Sequence, residues 1–232
     1  MKTLIIGRGE IGKSLDKVLS KEYPTQMIDK DDSLEGKFDI AHICFPYSEN
    51  FVNIVKDYQI KYSPEHTVIH STVPVGTSRK CDAIHSPCVG IHPHLAESLK
   101  TFTKFLGGED ASQVADYFRR AGIKVSVTNQ PETTELMKIC STSYYGVCVE
   151  YTKEVKRLCD ENDIPFEAWT LWTENYNNGY SKLGYPEYQR PNLTPIKKKI
   201  GGHCVLPNLK YLDSKFGNFI SELNESKKWK QK

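Results

Sequence analysis

Near its N-terminus the chain reads MKTLIIGRGEIGKSLDKVLS. A short apolar run leads into Gly7, Gly9 and Gly12, and Ile11, Leu15, Val18 and Leu19 then share one helical face. Strand, G-x-G-x-x-G and helix in this order are a narrow specification. The first glycine permits a tight turn, the second lets a pyrophosphate approach the backbone, and the third lets helix lie against strand. The helix N-terminus adds N–H donors and a positive dipole end. Gly7, Arg8, Gly9, Glu10, Ile11 and Gly12 are therefore candidate dinucleotide-binding residues. A second predicted strand, TQMID, ends in Asp29, 17 residues after Gly12. A carboxylate there can accept from both ribose hydroxyls of NAD and repels the 2'-phosphate of NADP. Lys30, which follows it, and Arg8 can soften that discrimination; NAD is the expected cofactor.

The alternation continues. DIAHICFP reads as a buried strand, YSENFVNIVKDYQIKY as a helix and HTVIHSTVP as a strand. SRKCDAIHS reads as a short linker or helix, CVGIHP and KFLGG as strands, ASQVADYFRRAG as a helix and IKVSV as a strand. This pattern predicts an α/β fold, a Rossmann-like, doubly wound, mostly parallel sheet with its ligand at the carboxyl ends of the strands. Gly7, Pro46, Pro74 and Pro93 follow strands and should line that edge, which adds Phe45 and Pro46 to the cofactor candidates.

One long helix is predicted from Pro131 through RLCDEN, with Glu132 and Glu135 at its positive end. Leu136, Cys140, Tyr144, Val147, Tyr151, Val155 and Leu158 form an apolar stripe expected to pack on another helix, and Lys138 and Thr142, four apart, share a different face. A helix PFEAWTLWTENYNN should follow, with Trp169 and Trp172 in the core. A long loop rich in Gly, Pro, Tyr and Lys and a final helix SKFGNFISELNESKKW complete the chain. The expected division is a dinucleotide-binding domain over 1–128 and a small all-helical domain over 129–232, with an active-site loop over 184–208. In that loop Arg190 and Lys197 to Lys199 can meet a phosphate or carboxylate.

Composition excludes several classes. The chain has 232 residues and a net charge of +2, too near neutral to argue for a nucleic-acid partner. No apolar run is long enough for a membrane span or a signal core, so the expectation is a cytoplasmic protein. Seven cysteines without repeated spacing fit reduced thiols better than a disulfide framework. CDAIHSPCVGIHPH gathers Cys81, His85, Cys88, His92 and His94, but not at zinc-finger spacing, and no metal is expected.

The set GRGEIG, ICFPYS, HSTVPVGT, TTELMKICSTS and IGGHCVLPN, in this order, resembles the UDP-glucose/GDP-mannose dehydrogenase family of nucleotide-sugar dehydrogenases. The resemblance implies an NAD-dependent oxidation of an alcohol carbon. It implies that Thr72 contacts the cofactor and helps order water, that Lys138 stabilises oxyanion character at the reacting carbon, and that Cys204 captures an aldehyde as a thiohemiacetal on the way to a thioester. Gly201 and Gly202 would let the backbone come close enough to present Cys204. His92 and His94 would fall in the substrate loop, Glu97 would stand for a water-positioning glutamate, and the long helix would make a homodimer interface. Two positions depart from the family pattern: Thr142 replaces its asparagine, and Asn208 replaces its aspartate. The resemblance ends soon after the cysteine motif, so the expected form is a short one lacking the family's C-terminal nucleotide-sugar-binding domain. Two other readings stay open: a two-electron dehydrogenase of the 3-hydroxy acid type centred on Lys138, and a nucleotide-binding regulator or partner subunit without catalysis.

Overall fold

The computed structural model describes residues 1–196, 198–201, 205–212 and 214–225. The chain forms two compact units, Met1–Ile139 and Cys140 onward.

In the first unit seven strands, β1 (Thr3–Ile6), β2 (Thr25–Ile28), β3 (Ile40–Ile43), β4 (His66–Ile69), β5 (Ile84–His85), β6 (Lys104–Gly107) and β7 (Val125–Thr128), form one sheet in the order β2-β1-β3-β4-β5-β6-β7. Every pairing is parallel except β5 with β6. The helices are α1 (Glu10–Leu19), α2 (Phe51–Tyr62), α3 (Thr77–Lys80), α4 (Leu95–Thr101) and α5 (Ala111–Arg120). Strand residues alternate between two cores. Ile5, Ile40 and Val68 face Leu15, Val18, Val114 and Phe118, while Leu4, Ile6, Ile43 and Ile69 face Phe51, Val55 and Tyr62. A sheet buried on both faces is the doubly wound arrangement, and its strand order reverses between β1 and β3.

One predicted strand is corrected. CVGIHP does not form a strand; β5 is only Ile84–His85, inside the segment read as linker or helix, and Cys88 to His94 is loop. Pro87, just past β5, has no N–H to give a ladder, and Gly90 adopts φ +146°. A side chain at Gly90 would also meet Ser98 Cβ at 2.2 Å.

The first core contains a polar chain. Thr3 Oγ1 lies 2.9 Å from Tyr117 OH, which lies 3.1 Å from His42 Nε2; His42 Nδ1 lies 2.9 Å from His70 Nε2, and His70 Nδ1 lies 2.8 Å from Ser86 O. The carbonyl of Ser86 can only accept, and Lys104 Nζ lies 3.2 Å from the same His70 Nδ1; with Nδ1 bonded to the nearer carbonyl, the chain runs one way. His70 Nδ1–H donates to it, His42 Nδ1–H donates to His70, Tyr117 O–H donates to His42, and Thr3 donates to Tyr117. Both imidazoles are neutral in this scheme. Burial drives His42 and His85 down to about 3 and His70 well below its ordinary value. Lys104, also buried, donates to Ser86 O at 3.2 Å, and burial lowers its pKa.

The second unit is helical. α6 (Pro131–Glu161) begins in the first unit and continues into it, followed by α7 (Glu167–Leu183), one turn of 3-10 helix (Pro186–Tyr188), α8 (Val205–Leu209) and α9 (Lys215–Glu225). α7 outruns its predicted end and stops at Gly184, whose φ of +80° closes the helix. The α6 stripe is only partly covered within this chain: Tyr144, Tyr151 and Leu158 are 61%, 59% and 45% exposed, whereas Val147 packs on the cluster formed by Val205, Leu209 and Ile220. α6 instead buries Ser143, Gly146, Glu150, Thr152 and Lys153. Gly146 admits α8 and α9, since a methyl there would lie 2.8 Å from Val205 Cγ1, and Glu150 and Lys153 neutralise one another at 2.7 Å. Trp172, placed in the core by its spacing, is 64% exposed, and Trp169 is half-buried edge-on to Tyr151.

The buried imidazoles give a signed pH dependence. His42 and His85 have folded pKa values depressed from 6.5 to about 3, so the unfolded chain takes up protons that the fold refuses. Their contribution is complete above about pH 6.5 and is lost as pH falls toward about 3, by about 1.4 kcal/mol per pH unit for each such imidazole. Urea midpoints at about pH 7.5 and about pH 5 should show it; equal midpoints would mean that the imidazoles titrate within the native core.

Candidate functional site

The glycine turn shows a division of labour among its three glycines. Gly7 adopts φ +114°, and a Cβ there would meet the backbone of Cys44 and Phe45 at 2.9 to 3.1 Å. A Cβ on Gly12 would lie 1.9 Å from Gly7 O, so only glycine lets α1 start this close to β1. Gly9 is the opposite case, with nothing within 4 Å of a Cβ position. The N-terminus of α1 thus opens onto free space at the β1/β3 switch point, where an anionic group can meet its N–H donors. Phe45 lies against Phe51 and Tyr58 in the second core, and Pro46 is exposed beside it.

Asp29 stands at the end of β2, held by two backbone donors: Arg8 N reaches its Oδ2 at 3.1 Å and Lys30 N its Oδ1 at 2.8 Å. These bonds hold its carboxyl below its ordinary range. Each oxygen keeps acceptor capacity for a ribose hydroxyl. The Arg8 side chain turns to Met27 O at 3.2 Å and Asp32 Oδ2 at 2.8 Å. Asp32 is a residue that sequence reasoning missed; its only signal was the acidic run after Asp29.

His92 and His94 lie in the exposed loop before α4, not at a strand end, because the predicted strand is absent. The loop nonetheless returns to the glycine turn: His92 Nδ1 is bonded to the Glu10 carboxylate, and Lys17 reaches Glu97 at 3.2 Å. Arg8, Gly9, Lys13, Ser14, Pro93 and His94 are among the residues lining a cavity of about 560 Å³ between α1 and α4. It draws Glu10, His94 and Glu97 together with the glycine turn, a juxtaposition that local patterns could not disclose.

A second cluster is organised by Glu135, another residue without a sequence-derived role beyond its helix end. Its carboxylate is fully buried and accepts from Gly76 N at 2.6 Å and Ser78 N at 2.7 Å. Burial pushes this carboxyl up against the opposing pull of the two donors. The contact fixes α6 to the loop that carries Thr72, which is half-buried after β4. On the same loop Ser71 O lies 3.2 Å from His85 Nε2, and His85 Nδ1 lies 2.8 Å from Thr134 Oγ1, one residue before Glu135. Lys138 follows within one turn, half-buried, and donates to Cys88 O at 2.9 Å.

In the second unit Arg190 lies over the Tyr176 ring at 4.0 Å, and its N–H donates to Asn177 Oδ1 at 2.8 Å. The loop after α7 is therefore folded back on that helix. Thr142 is half-buried on α6, Asn208 is buried on α8, and Gly201 is exposed. Gly202 and Cys204 lie outside the described residues, as does Lys197. Among the described residues, no group of three or more His, Cys, Asp or Glu could hold a metal ion, and no helix is long and apolar enough to cross a membrane.

This architecture can be compared with known proteins. UDP-D-ManNAc dehydrogenase from Pyrococcus horikoshii superposes with a TM-score of 0.79 over 97% of this chain and 68% of its own, at 16% identity. The chain shares its fold. UDP-N-acetyl-mannosamine dehydrogenase Cap5O from Staphylococcus aureus gives 0.74 over 97% and 67%, at 14% identity. 3-Hydroxyisobutyrate dehydrogenase from Mycobacterium tuberculosis gives 0.71 over 96% and 92%, at 12% identity. No family model matches the sequence. No curated protein matches it significantly.

The Glu135 clamp is open to a stability test. Glu135→Ala should orphan two N–H groups, each worth about 1–3 kcal/mol if left buried without an acceptor, while Glu135→Gln keeps one acceptor oxygen and should lose less. Urea denaturation of the two variants compares them, and equal stability to the parent would show that water replaces the carboxylate.

Proposed function

We propose that the chain binds NAD(H) at the glycine turn and oxidises an alcohol carbon of a small molecule, with a nucleotide sugar as the leading substrate class. The observation that carries the reading is the open backbone at Gly9, above the α1 N-terminus and beside the anchored carboxylate of Asp29. A pyrophosphate needs the first and a ribose the second. The nicotinamide would supply the hydride acceptor, and the protein would supply position and electrostatics.

Gly7, Arg8, Gly9, Glu10, Ile11 and Gly12 would surround the phosphates, Asp29 and Lys30 the ribose, and Phe45, Pro46 and Thr72 the neighbouring strand ends. Lys138 would stabilise negative charge on the reacting oxygen, aided by its fixed attachment through Glu135 to the Thr72 loop. His92, His94 and Arg190 would meet substrate, and Glu97 and Thr142 would assist water and proton positioning. A Cys204 nucleophile would allow a second oxidation, with Gly202 giving it backbone access and Asn208 replacing an acidic partner. A homodimer, supported by the exposed Tyr144, Tyr151 and Leu158, would cover the α6 stripe. The buried free thiols of Cys44 and Cys81 fit a cytoplasmic setting.

A second reading is favoured by one observation. The 3-hydroxyisobutyrate dehydrogenase is covered over 92% of its length, so a chain of this extent can match such an enzyme almost whole. That reading is a single two-electron oxidation led by Lys138.

Titration of NADH fluorescence tests the cofactor site. Gly9→Val should keep the fold and weaken NADH binding tenfold or more, because a side chain enters the phosphate approach; Gly12→Ala should destabilise the fold itself through its clash with Gly7 O. Unchanged binding in Gly9→Val would remove the proposed site. With a substrate found by thermal-shift screening in the presence of NAD, Lys138→Ala should lower turnover by about 10²-fold or more while still binding NADH. Two NADH per substrate, reduced to at most one by Cys204→Ser, would support the thioester route, and one NADH with an active Cys204→Ser would assign the two-electron reaction.

A further inference from the structure

We propose that Asp32 is a specificity-determining residue for the dinucleotide, acting by holding the Arg8 guanidinium away from a 2'-phosphate. The inference rests on the dinucleotide reading above and adds to it the means of choosing between the two forms of the cofactor.

Arg8 occupies the first variable position of the turn, and its backbone N–H is spent on Asp29 Oδ2 at 3.1 Å. The backbone therefore places this residue beside the ribose-binding carboxylate. A guanidinium there is well suited to a phosphate dianion, which it can meet through two parallel N–H donors. In this protein it is committed elsewhere. Nη2 sits 2.8 Å from Asp32 Oδ2 and donates to Met27 O at 3.2 Å, so the head group is turned back along β2. The same Asp32 oxygen accepts the backbone N–H of Asp29 at 2.8 Å. One carboxylate thus fixes both the ribose acceptor and the nearest cation.

The consequence is a double discrimination. A 2'-phosphate arriving at this end of β2 meets the negative charge of Asp29 and Asp32, and the arginine that could compensate is already neutralised. NAD carries hydroxyls there, which need only the acceptors that Asp29 retains. Asp32 is partly exposed, with side-chain exposure of 34% against 48% for Arg8. Exposed ion pairs are weak, so its removal should change cofactor preference by a modest factor rather than abolish it.

The test is a set of NADH and NADPH dissociation constants, read by nicotinamide fluorescence at one fixed ionic strength. The parent protein should bind NADH more tightly. Asp32→Asn should narrow the NADPH-to-NADH ratio of dissociation constants by about two- to fivefold, chiefly through tighter NADPH. That gain should vanish in the double variant Arg8→Ala, Asp32→Asn. Asp31→Asn, which removes the same charge one residue away, should narrow the ratio less than Asp32→Asn does. The proposal is overturned by an unchanged ratio in Asp32→Asn, by a gain that survives loss of Arg8, or by an equal effect of Asp31→Asn. A parent protein that binds neither dinucleotide would instead sink the cofactor reading itself. Asn keeps the acceptor for Asp29 N, and thermal unfolding of each variant separates misfolding from altered selectivity.

Discussion

The contact between Gly12 and the carbonyl of Gly7 sets the geometry on which the candidate site depends. A methyl group on Gly12 would sit 1.9 Å from that oxygen, far inside any van der Waals contact. Helix α1 can therefore begin only a few residues after β1 ends, with its first N–H groups at the carboxyl edge of the sheet. Everything that makes the edge chemically useful follows from this approach. Gly9 faces open space, Arg8 N finds Asp29 across the neighbouring strand end, and Glu10 becomes available to His92. The α1 dipole adds a positive end at the same place.

Behind that edge the first core solves an unusual problem. A parallel sheet covered on both sides normally fills its strands with aliphatic side chains, yet this one places His42, His70, His85 and Lys104 in full burial. An unbonded polar group in such a setting costs several kcal/mol, whereas a bonded one is roughly neutral or worth about 1 kcal/mol. The one-way chain from Thr3 to the Ser86 carbonyl keeps His42 and His70 neutral and bonded, and Thr134 Oγ1 and Ser71 O do the same for His85, so the penalty is avoided at the imidazoles. The chain also ties α5, β1, β3 and the end of β4 to the segment after β5. That tie matters because β5 contributes only two residues to the ladder and is registered with β6 at His85 and Gly107 alone.

Much of the fold was legible because its determinants are local. The glycine spacing, the strand-helix alternation and the capping residues of α6 act within a few residues of themselves, and β1, α1, β2, β3, α2, β4, α5 and α6 all appear where those signals put them. The failures have a common cause. CVGIHP has the composition of a strand, but Pro87 withholds a donor and Gly90 lies against Ser98, a contact made by the fold. Tyr144 and Leu158 of the α6 stripe and Trp172 have the spacing of core residues, but periodicity cannot say which side of a helix its partners occupy. In this chain small and mutually neutralised residues, Gly146 and the Glu150–Lys153 pair, take the buried side.

Local pattern was enough to set the glycine turn, the class of the fold and the run of helices that follows, because backbone freedom at glycine and hydrophobic period are properties of adjacent residues. How the candidate site is furnished depends instead on contacts made in the folded chain. Asp32 reaching Arg8, Glu135 clasping the loop after Thr72, and His92 meeting Glu10 join residues 24, 59 and 82 apart in the chain or distributed over different elements. No periodicity records such pairs. They exist because the sheet brings its strand ends to one edge, where charges that are strangers in sequence must neutralise one another.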